Sequence, residues 1–138
     1  VRNGSGPDLV FVNSLGTDLR MWDAVIHRLP STWVCLRMDK RGHGLSDTAP
    51  VSYSLSDLAT DVIAAMDRAK ITRGVIVGCS VGGLIAQQIA LMARSTLGPH
   101  RVWKSIRVPS LSNTTRSALT LVFRALSFDI ILVCGLMV

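Results

Sequence analysis

Residues 75–85 read VIVGCSVGGLI, an apolar run followed by a turn of small residues and a second apolar segment. Val75, Ile76 and Val77 are β-branched and show no polar alternation, which is typical of a strand covered on both faces of a parallel sheet. A helical pattern of apolar residues then extends from Val81 to Met92. We therefore expect a buried strand over 74–77, a sharp turn and a helix.

The turn between these two segments contains the pattern G-x-S-x-G, formed by Gly78, Ser80 and Gly82. A serine hydroxyl is an effective nucleophile when a strained turn holds it exposed beside a base, and flanking glycines let the strand and helix backbones approach. The first amides of the helix then favour a developing oxyanion. The pattern alone is common in loops, but its strand–turn–helix context favours a nucleophile elbow. We predict that Ser80 is the catalytic nucleophile.

The segments before this turn also alternate between strand and helix signals. Strands are predicted at Leu9–Val12 and Trp33–Met38, and a short helix at Trp22–Leu29 ends before Pro30, which cannot continue it. This alternation with short links predicts an α/β fold with right-handed crossovers and a parallel sheet.

The clearest predicted helix is Leu55–Lys70. Its apolar residues recur at i, i+3, i+4 and i+7, so that one stripe faces a core. Ser54 is a natural N-cap, and Asp57 follows three residues later as in a capping box.

Two further blocks carry a resemblance to a known family. Residues 13–22 read NSLGTDLRMW and residues 39–46 read DKRGHGLS. Together with the G-x-S-x-G turn, they resemble the α/β-hydrolases and, more closely, the 3-oxoadipate enol-lactonases of aromatic-compound degradation. The first block is the more specific signal, and the resemblance covers about residues 6–92. It implies the N-terminal half of an α/β-hydrolase fold, a mostly parallel sheet with flanking helices.

The resemblance also implies roles for individual residues. Ser80 would attack a lactone carbonyl and form an acyl-enzyme, while the backbone N–H groups of Leu15 and Val81 would form the oxyanion hole. Gly78 and Gly82 would be the glycines of the elbow. The expected partner is a small-molecule ester or lactone, with no metal and no organic cofactor.

Activation of the serine requires a histidine base and a carboxylate, which follow the nucleophile in the order acid, then histidine. After Ser80 the only carboxylate side chain is Asp129, and no histidine follows it, since His100 comes earlier. We therefore expect little or no hydrolysis by this polypeptide alone.

Four other residues with reactive side chains have local explanations. His43 belongs to the R-G-H-G turn and is expected to shape it, and Asp39 is expected to serve the same turn. His27 is expected to be exposed. Cys79 precedes the nucleophile, and its side chain should point away from the reaction.

The charge distribution divides the chain near Arg94. Residues 1–93 hold nine Lys and Arg against eight Asp, whereas residues 94–138 hold six against one. We therefore expect a hydrolase portion over 1–93 and a divergent basic and apolar tail over 94–138, truncated or frame-shifted. The basic residues alternate with apolar ones, which disfavours nucleic-acid binding. If the tail adds no strands, the sheet keeps an apolar edge through which the protein could self-associate.

The composition also bears on the compartment. Three cysteines without metal-like spacing favour a reducing environment, and the chain begins without a signal-like segment. The apolar span 118–138 is interrupted by Arg124 and Asp129, and its uninterrupted part, 130–138, is too short to cross a bilayer. We expect a cytoplasmic protein without a membrane anchor.

The leading hypothesis is thus an ester or lactone hydrolase. The alternatives are a non-catalytic remnant or interaction module, and an enzyme from another branch of the fold, such as a C–C bond hydrolase, an esterase or a cofactor-free haloperoxidase. Dehalogenases and epoxide hydrolases are disfavoured, because they place Asp where this chain has Ser80.

Overall fold

The structure is a computed structural model that describes residues 8–48, 52–72, 74–97, 104–107 and 131–135 of the 138-residue chain. Strands and helices alternate through the first 97 residues, and two strands follow. In chain order the elements are β1 (Asp8–Val12), a 3₁₀ turn (Leu19–Trp22), α1 (Asp23–Ile26), β2 (Val34–Met38), α2 (Leu55–Arg68), β3 (Val75–Cys79), α3 (Val81–Leu97), β4 (Lys104–Arg107) and β5 (Ile131–Gly135).

The five strands form one sheet in the order β2-β1-β3-β5-β4, and every neighbouring pair is parallel. Val12 pairs with Met38 on one side and with Gly78 on the other. The segments that follow β1, β2 and β3 therefore leave the sheet side by side at its carboxyl edge, where ligands bind in open α/β sheets. The predicted α/β class, with a parallel sheet and flanking helices, is confirmed.

Apolar residues cover both faces of the sheet. On one face, Val10, Val12 and Ile76 pack with the buried sides of α2 and α3. On the other face, Phe11 packs against Trp22, with their ring centroids 5.1 Å apart. Because both faces are buried, the sequences of β1 and β3 are continuous apolar runs without polar alternation. Each fully buried Val, Ile or Phe side chain stabilises the fold by roughly 1.5–3 kcal/mol.

The start of α2 is the one that the sequence predicts. Ser54 Oγ accepts a hydrogen bond from the Asp57 amide at 3.2 Å, and the Asp57 carboxylate accepts from the Ser54 amide at 2.7 Å. Both halves of the capping box are therefore present and satisfy two of the amides at the helix start.

The end of α2 differs from the prediction, since the helix stops at Arg68 rather than Lys70. Lys70 adopts a left-handed conformation with φ of 57°. The amides of Lys70 and Ile71 donate to the carbonyls of Asp67 and Met66, both at 2.9 Å, which closes the helix as a Schellman motif. A lysine occupies the position where glycine is usual, so the stop signal was not visible.

The short helix predicted at Trp22–Leu29 is also corrected. A 3₁₀ turn begins at Leu19, and α1 covers only Asp23–Ile26. The turn starts early because the Asp18 carboxylate accepts a hydrogen bond from the Arg20 amide at 2.8 Å and so caps it.

The tail contributes two strands to the sheet. Ile76 of β3 pairs with Leu132 of β5, and β4 lies on the far side of β5. Among the described strands, the edges of the sheet are thus β2 and β4. The expectation of self-association assumed that the tail adds no strands and that β3 is left unpaired, and β3 instead pairs with β5. The remainder of the 118–138 span lies outside the described residues. None of the helices in the described ranges is long and apolar enough to cross a membrane.

Candidate active site

Ser80 forms the junction between β3 and α3. It follows the last residue of the strand, Cys79, precedes the first residue of the helix, Val81, and has a φ of 53°. The left-handed region costs a non-glycine residue about 1–2 kcal/mol and persists only where the surroundings hold it. The Ser80 carbonyl accepts a hydrogen bond from the Gly83 amide at 2.8 Å, which locks the first turn of the helix. The chain thus passes from strand to helix within one residue, and that residue is partly exposed.

Close backbone packing explains the glycines on either side of Ser80. A Cβ atom on Gly78 would lie 2.3 Å from the carbonyl oxygen of Gly82 and 2.6 Å from the amide nitrogen of Gly83. A Cβ atom on Gly82 would lie 2.2 Å from the carbonyl oxygen of Val12. Neither position has room for a side chain unless the backbone moves.

The loop that follows β1 lies against this turn. A Cβ atom on Gly82 would also lie 3.0 Å from the carbonyl oxygen of Asn13, so the loop begins in direct contact with the elbow. Leu15 occupies the tip of the loop and is 71% exposed, and Gly16 beside it has a φ of 68°. Val81 is the first residue of α3, so its amide has no acceptor within the helix. The two segments expected to supply the oxyanion hole are therefore neighbours.

The loop that follows β2 is organised by Asp39. This buried carboxylate accepts hydrogen bonds from the Leu19 amide at 2.7 Å and from the Leu45 amide at 3.1 Å. The Asp39 carbonyl accepts from Ser46 Oγ at 2.7 Å, and Gly44 has a φ of 53° where a Cβ atom would strike the carboxylate. The expectation that Asp39 serves its own turn is confirmed.

The histidines are not placed as a catalytic base in the region that the structure describes. His43 Nδ1 lies 3.1 Å from the Arg41 carbonyl oxygen within the same turn, and His27 is exposed, as expected. Neither ring is hydrogen-bonded to a carboxylate among the described residues. His100 and Asp129 lie outside them.

Lys40 is a feature that the sequence analysis missed. It is 2% exposed, and its Nζ donates to the Asn13 carbonyl at 3.1 Å, to Asn13 Oδ1 at 3.0 Å and to the Ser14 carbonyl at 2.9 Å. Burial lowers its pKa to about 8, an effect that the nearby Asp39 charge partly opposes. The available signal was positional, because a lysine two residues after β2 stands beside the end of β1 once the two strands are paired.

The next cation in the same loop, Arg41, points in a different direction. Its guanidinium binds both carboxylate oxygens of Asp61 on α2, at 2.6 and 2.5 Å, and lies over the ring of Tyr53. Arg41 thus ties the loop to a helix, whereas Lys40 ties it to the loop that follows β1.

A groove of about 260 Å³ lies between the 3₁₀ turn and the loop that follows β2. It is lined by Asp18, Leu19, Arg20, Asp39, Gly44 and Leu45, so Ser80 is not part of its wall. Within the described part of the chain, no group of three His, Cys, Asp or Glu side chains could hold a metal ion.

The family is established by comparison with known proteins. The family model described as alpha/beta hydrolase fold matches residues 7–114, which is more than half of the chain. The chain therefore belongs to the α/β-hydrolase fold family. The solved structure of a hydrolase from Pseudomonas aeruginosa supports the fold, with a TM-score of 0.62 and 32% identity over 90% of this chain and 45% of that one.

The chain is also similar to individual curated proteins. The chain is 41% identical to 3-oxoadipate enol-lactonase 2 of Acinetobacter baylyi over 85 residues, or 62% of this chain and 32% of that protein. It is 37% identical to the pimeloyl-[acyl-carrier protein] methyl ester esterase of Pectobacterium carotovorum over 103 residues, or 75% of this chain and 36% of that protein. The chain thus spans about a third of the length of the curated relatives it matches. The predicted resemblance to the enol-lactonases is confirmed.

Proposed function

We propose that Ser80 is the nucleophile of an ester or lactone hydrolase and that this chain carries the nucleophile-bearing part of such an enzyme. One observation carries the proposal: a serine with positive φ forms the junction between a buried parallel strand and a helix, between glycines that cannot accept a Cβ atom. This geometry exposes a hydroxyl at the carboxyl edge of the sheet, as in a nucleophile elbow. An enol-lactone is the favoured substrate, on the strength of the similarity to 3-oxoadipate enol-lactonase 2.

The proposed reaction proceeds in two steps. Ser80 Oγ attacks the carbonyl carbon of the lactone, its proton passes to a base, and the carbonyl electron pair moves onto oxygen. The amides of Leu15 and Val81 stabilise this oxyanion, and the positive end of the α3 dipole adds to the effect. The ring C–O bond then breaks, the enol oxygen leaves with a proton, and water hydrolyses the acyl-enzyme. Removal of a single oxyanion-hole donor typically lowers kcat by about 10²–10³-fold.

The reaction also requires a base that accepts the proton of Ser80, and neither Leu15 nor Val81 supplies it. The chain holds three histidines, and none follows Asp129, the only carboxylate side chain after Ser80. Loss of a triad histidine costs on the order of 10⁶-fold in kcat in well-studied cases. We therefore infer that this polypeptide alone turns over very little substrate.

A serine-directed fluorophosphonate probe tests the nucleophile without requiring turnover. We expect slow labelling that peptide mapping places at Ser80, and we expect added imidazole to accelerate it by acting as an external base. The matched control is Ser80→Ala, which should lose this labelling and the response to imidazole. Equal labelling of the two proteins would mean that the chain is a non-catalytic remnant of the fold.

The mass of the covalent adduct separates lactones from other esters. Opening of an enol-lactone leaves the departing group attached, so the acyl-enzyme gains the full mass of the lactone. A methyl ester loses its alcohol and adds only the acyl mass. Methyl esters are included as the second substrate class because the chain is similar to a methyl ester esterase. We expect the enol-lactone to acylate Ser80 faster than a methyl ester or an aryl ester does in the presence of imidazole.

A further inference from the structure

The ammonium group of Lys40 is a buried charge to which the proposed reaction gives no role. Burial of a charge is costly unless hydrogen bonds or an opposite charge compensate for it. The oxygens that accept from Lys40 Nζ are neutral and belong to Asn13 and Ser14. The adjacent Asp39 carboxylate accepts from the amides of Leu19 and Leu45. The hydrogen bonds that Lys40 Nζ donates go to two residues of one loop, which suggests that the lysine fixes the conformation of that loop.

These bonds fix the loop from Asn13 to Thr17 on both sides of its tip. The Ser14 carbonyl accepts from Lys40 Nζ at 2.9 Å and from Thr17 Oγ1 at 2.9 Å. Asn13 Nδ2 donates to the Thr17 carbonyl, so the residue that accepts from Lys40 also holds the far end of the loop. Leu15 and Gly16 form the tip between these anchors.

The bond from Lys40 to Ser14 also sets the direction of the Leu15 amide. The Ser14 carbonyl and the Leu15 N–H belong to one peptide unit, and in a trans planar peptide the C=O and N–H bonds point in opposite directions. Because the carbonyl oxygen points at Lys40, the Leu15 N–H must point away from it. The Asn13 carbonyl joins this arrangement to the elbow, since it accepts from Lys40 and also lies against Gly82.

We propose that Lys40 is a positioning residue that holds the loop from Asn13 to Thr17 so that the Leu15 amide is presented to the oxyanion formed at Ser80. This inference rests on the proposed function, because the oxyanion at Ser80 belongs to it. Lys40 itself does not touch the reacting atoms. It acts through the Ser14–Leu15 peptide unit.

The test compares Lys40→Met, which fills a similar volume without donors, with Arg41→Met as the matched control. Arg41 is the neighbouring cation of the same loop, and its partner is Asp61 on α2 rather than the loop that follows β1. Fluorophosphonate labelling of Ser80 is measured at saturating and subsaturating probe, with imidazole present in every sample. The Leu15 and Thr17 amide signals are recorded by ¹H–¹⁵N NMR.

For Lys40→Met we expect the maximal labelling rate to fall at least tenfold, with little change in the probe concentration that gives half of that rate. This split indicates a lost transition-state interaction rather than general loosening of the protein. We expect the signals of Leu15 and Thr17 to shift or broaden. Arg41→Met should stay within twofold of the wild-type rate and should leave these two signals in place.

Two outcomes would overturn the inference: an unchanged maximal rate in folded Lys40→Met, or unchanged Leu15 and Thr17 signals. Absence of labelling in the wild-type protein would instead reject the proposed function, and the amide signals would then decide whether Lys40 orients the loop. If Lys40→Met does not fold, Lys40→Gln is measured in the same way, because its side-chain amide has two N–H groups and cannot supply the three hydrogen bonds that Lys40 Nζ donates. Its rate should lie below that of the wild type, and a wild-type rate would reject the assignment.

Discussion

Two turns lie at the carboxyl edge of the sheet, one on each side of the loop that follows β1, and they are stabilised in different ways. The turn around Ser80 is held by backbone atoms packed so closely that Gly78 and Gly82 cannot carry a Cβ atom. The loop that begins at Asp39 is held by side chains, namely the Asp39 carboxylate, the Lys40 ammonium and the Arg41 guanidinium. The first turn should therefore tolerate no added atom, whereas the second should respond to single charges and to pH.

The largest expected effect is that of Gly82→Ala. The new Cβ atom would lie 2.2 Å from the Val12 carbonyl oxygen, so the backbone must move at the carboxyl end of β1. We expect the free energy of unfolding in urea to fall by about 3 kcal/mol or more. The matched control is Gly16→Ala, which adds the same methyl group. Gly16 has a φ of 68°, and a Cβ atom there would meet no atom within 4 Å. This substitution should cost about 1 kcal/mol from backbone strain alone. Equal losses in the two variants would show that close packing does not hold the elbow.

The second expected effect concerns Lys40 and pH. Its pKa in the folded protein is lowered to about 8 by burial, from the ordinary 10.5. Between these values the unfolded chain binds more protons than the folded one, so the free energy of unfolding should rise with pH from about 8 to 10.5, by at most about 1.4 kcal/mol per pH unit. Urea unfolding at several pH values, compared with Lys40→Met, isolates this contribution. A difference between the two proteins that stays constant over this range contradicts the prediction.

The third effect is that of Asp39→Asn, which keeps the shape of the side chain but removes its charge. One of the amides of Leu19 and Leu45 would then face an NH₂ group instead of an oxygen. We expect a loss of about 1.5–3 kcal/mol, since hydrogen bonds to charged groups are stronger than neutral ones. Asp47→Asn, at an exposed position of the same loop, serves as the control and should be nearly neutral. The account of this loop fails if both variants unfold at the same urea concentration.

The smallest effect is expected for Arg41→Met. The Arg41–Asp61 pair is bidentate, but the side chain of Arg41 is 30% exposed and that of Asp61 is 27% exposed. Water screens such pairs, so the loss should be about 1 kcal/mol or less and should shrink further in high salt. A loss that is as large as that of Asp39→Asn and independent of salt would mean that this ion pair, rather than the buried carboxylate, holds the loop.

The sequence predicted the features of this fold that depend on near neighbours. The apolar run before Ser80, the spacing of the α2 stripe and the Ser54–Asp57 capping box are all local, and each forms as expected. The end of α2 was predicted two residues too late, because Lys70 adopts the left-handed conformation that usually requires glycine, and a lysine gives no such signal in the sequence. Local patterns therefore located β1, β2, β3 and most of the helices, but not every end.

What the sequence could not predict depends on strand order and register. Lys40 and Asn13 are 27 residues apart and meet only because β2 pairs with β1 in a register that aligns Met38 with Val12. The insertion of β5 between β3 and β4 is likewise a long-range choice, for which residues 94–138 offer no local signal. The strand–turn–helix junction at Ser80 was therefore predictable from its own turn, whereas the contact of Lys40 with the neighbouring loop required the three-dimensional arrangement.

The most direct test of the central claim is the fluorophosphonate labelling rate of Ser80 relative to the other serines of the folded protein, measured by peptide mapping with and without imidazole. If Ser80 is the proposed nucleophile, its hydroxyl should react first, and its reaction alone should accelerate with imidazole. If label is spread evenly over exposed serines and imidazole has no effect, Ser80 is not a poised nucleophile, and the hydrolase chemistry proposed for this chain is wrong.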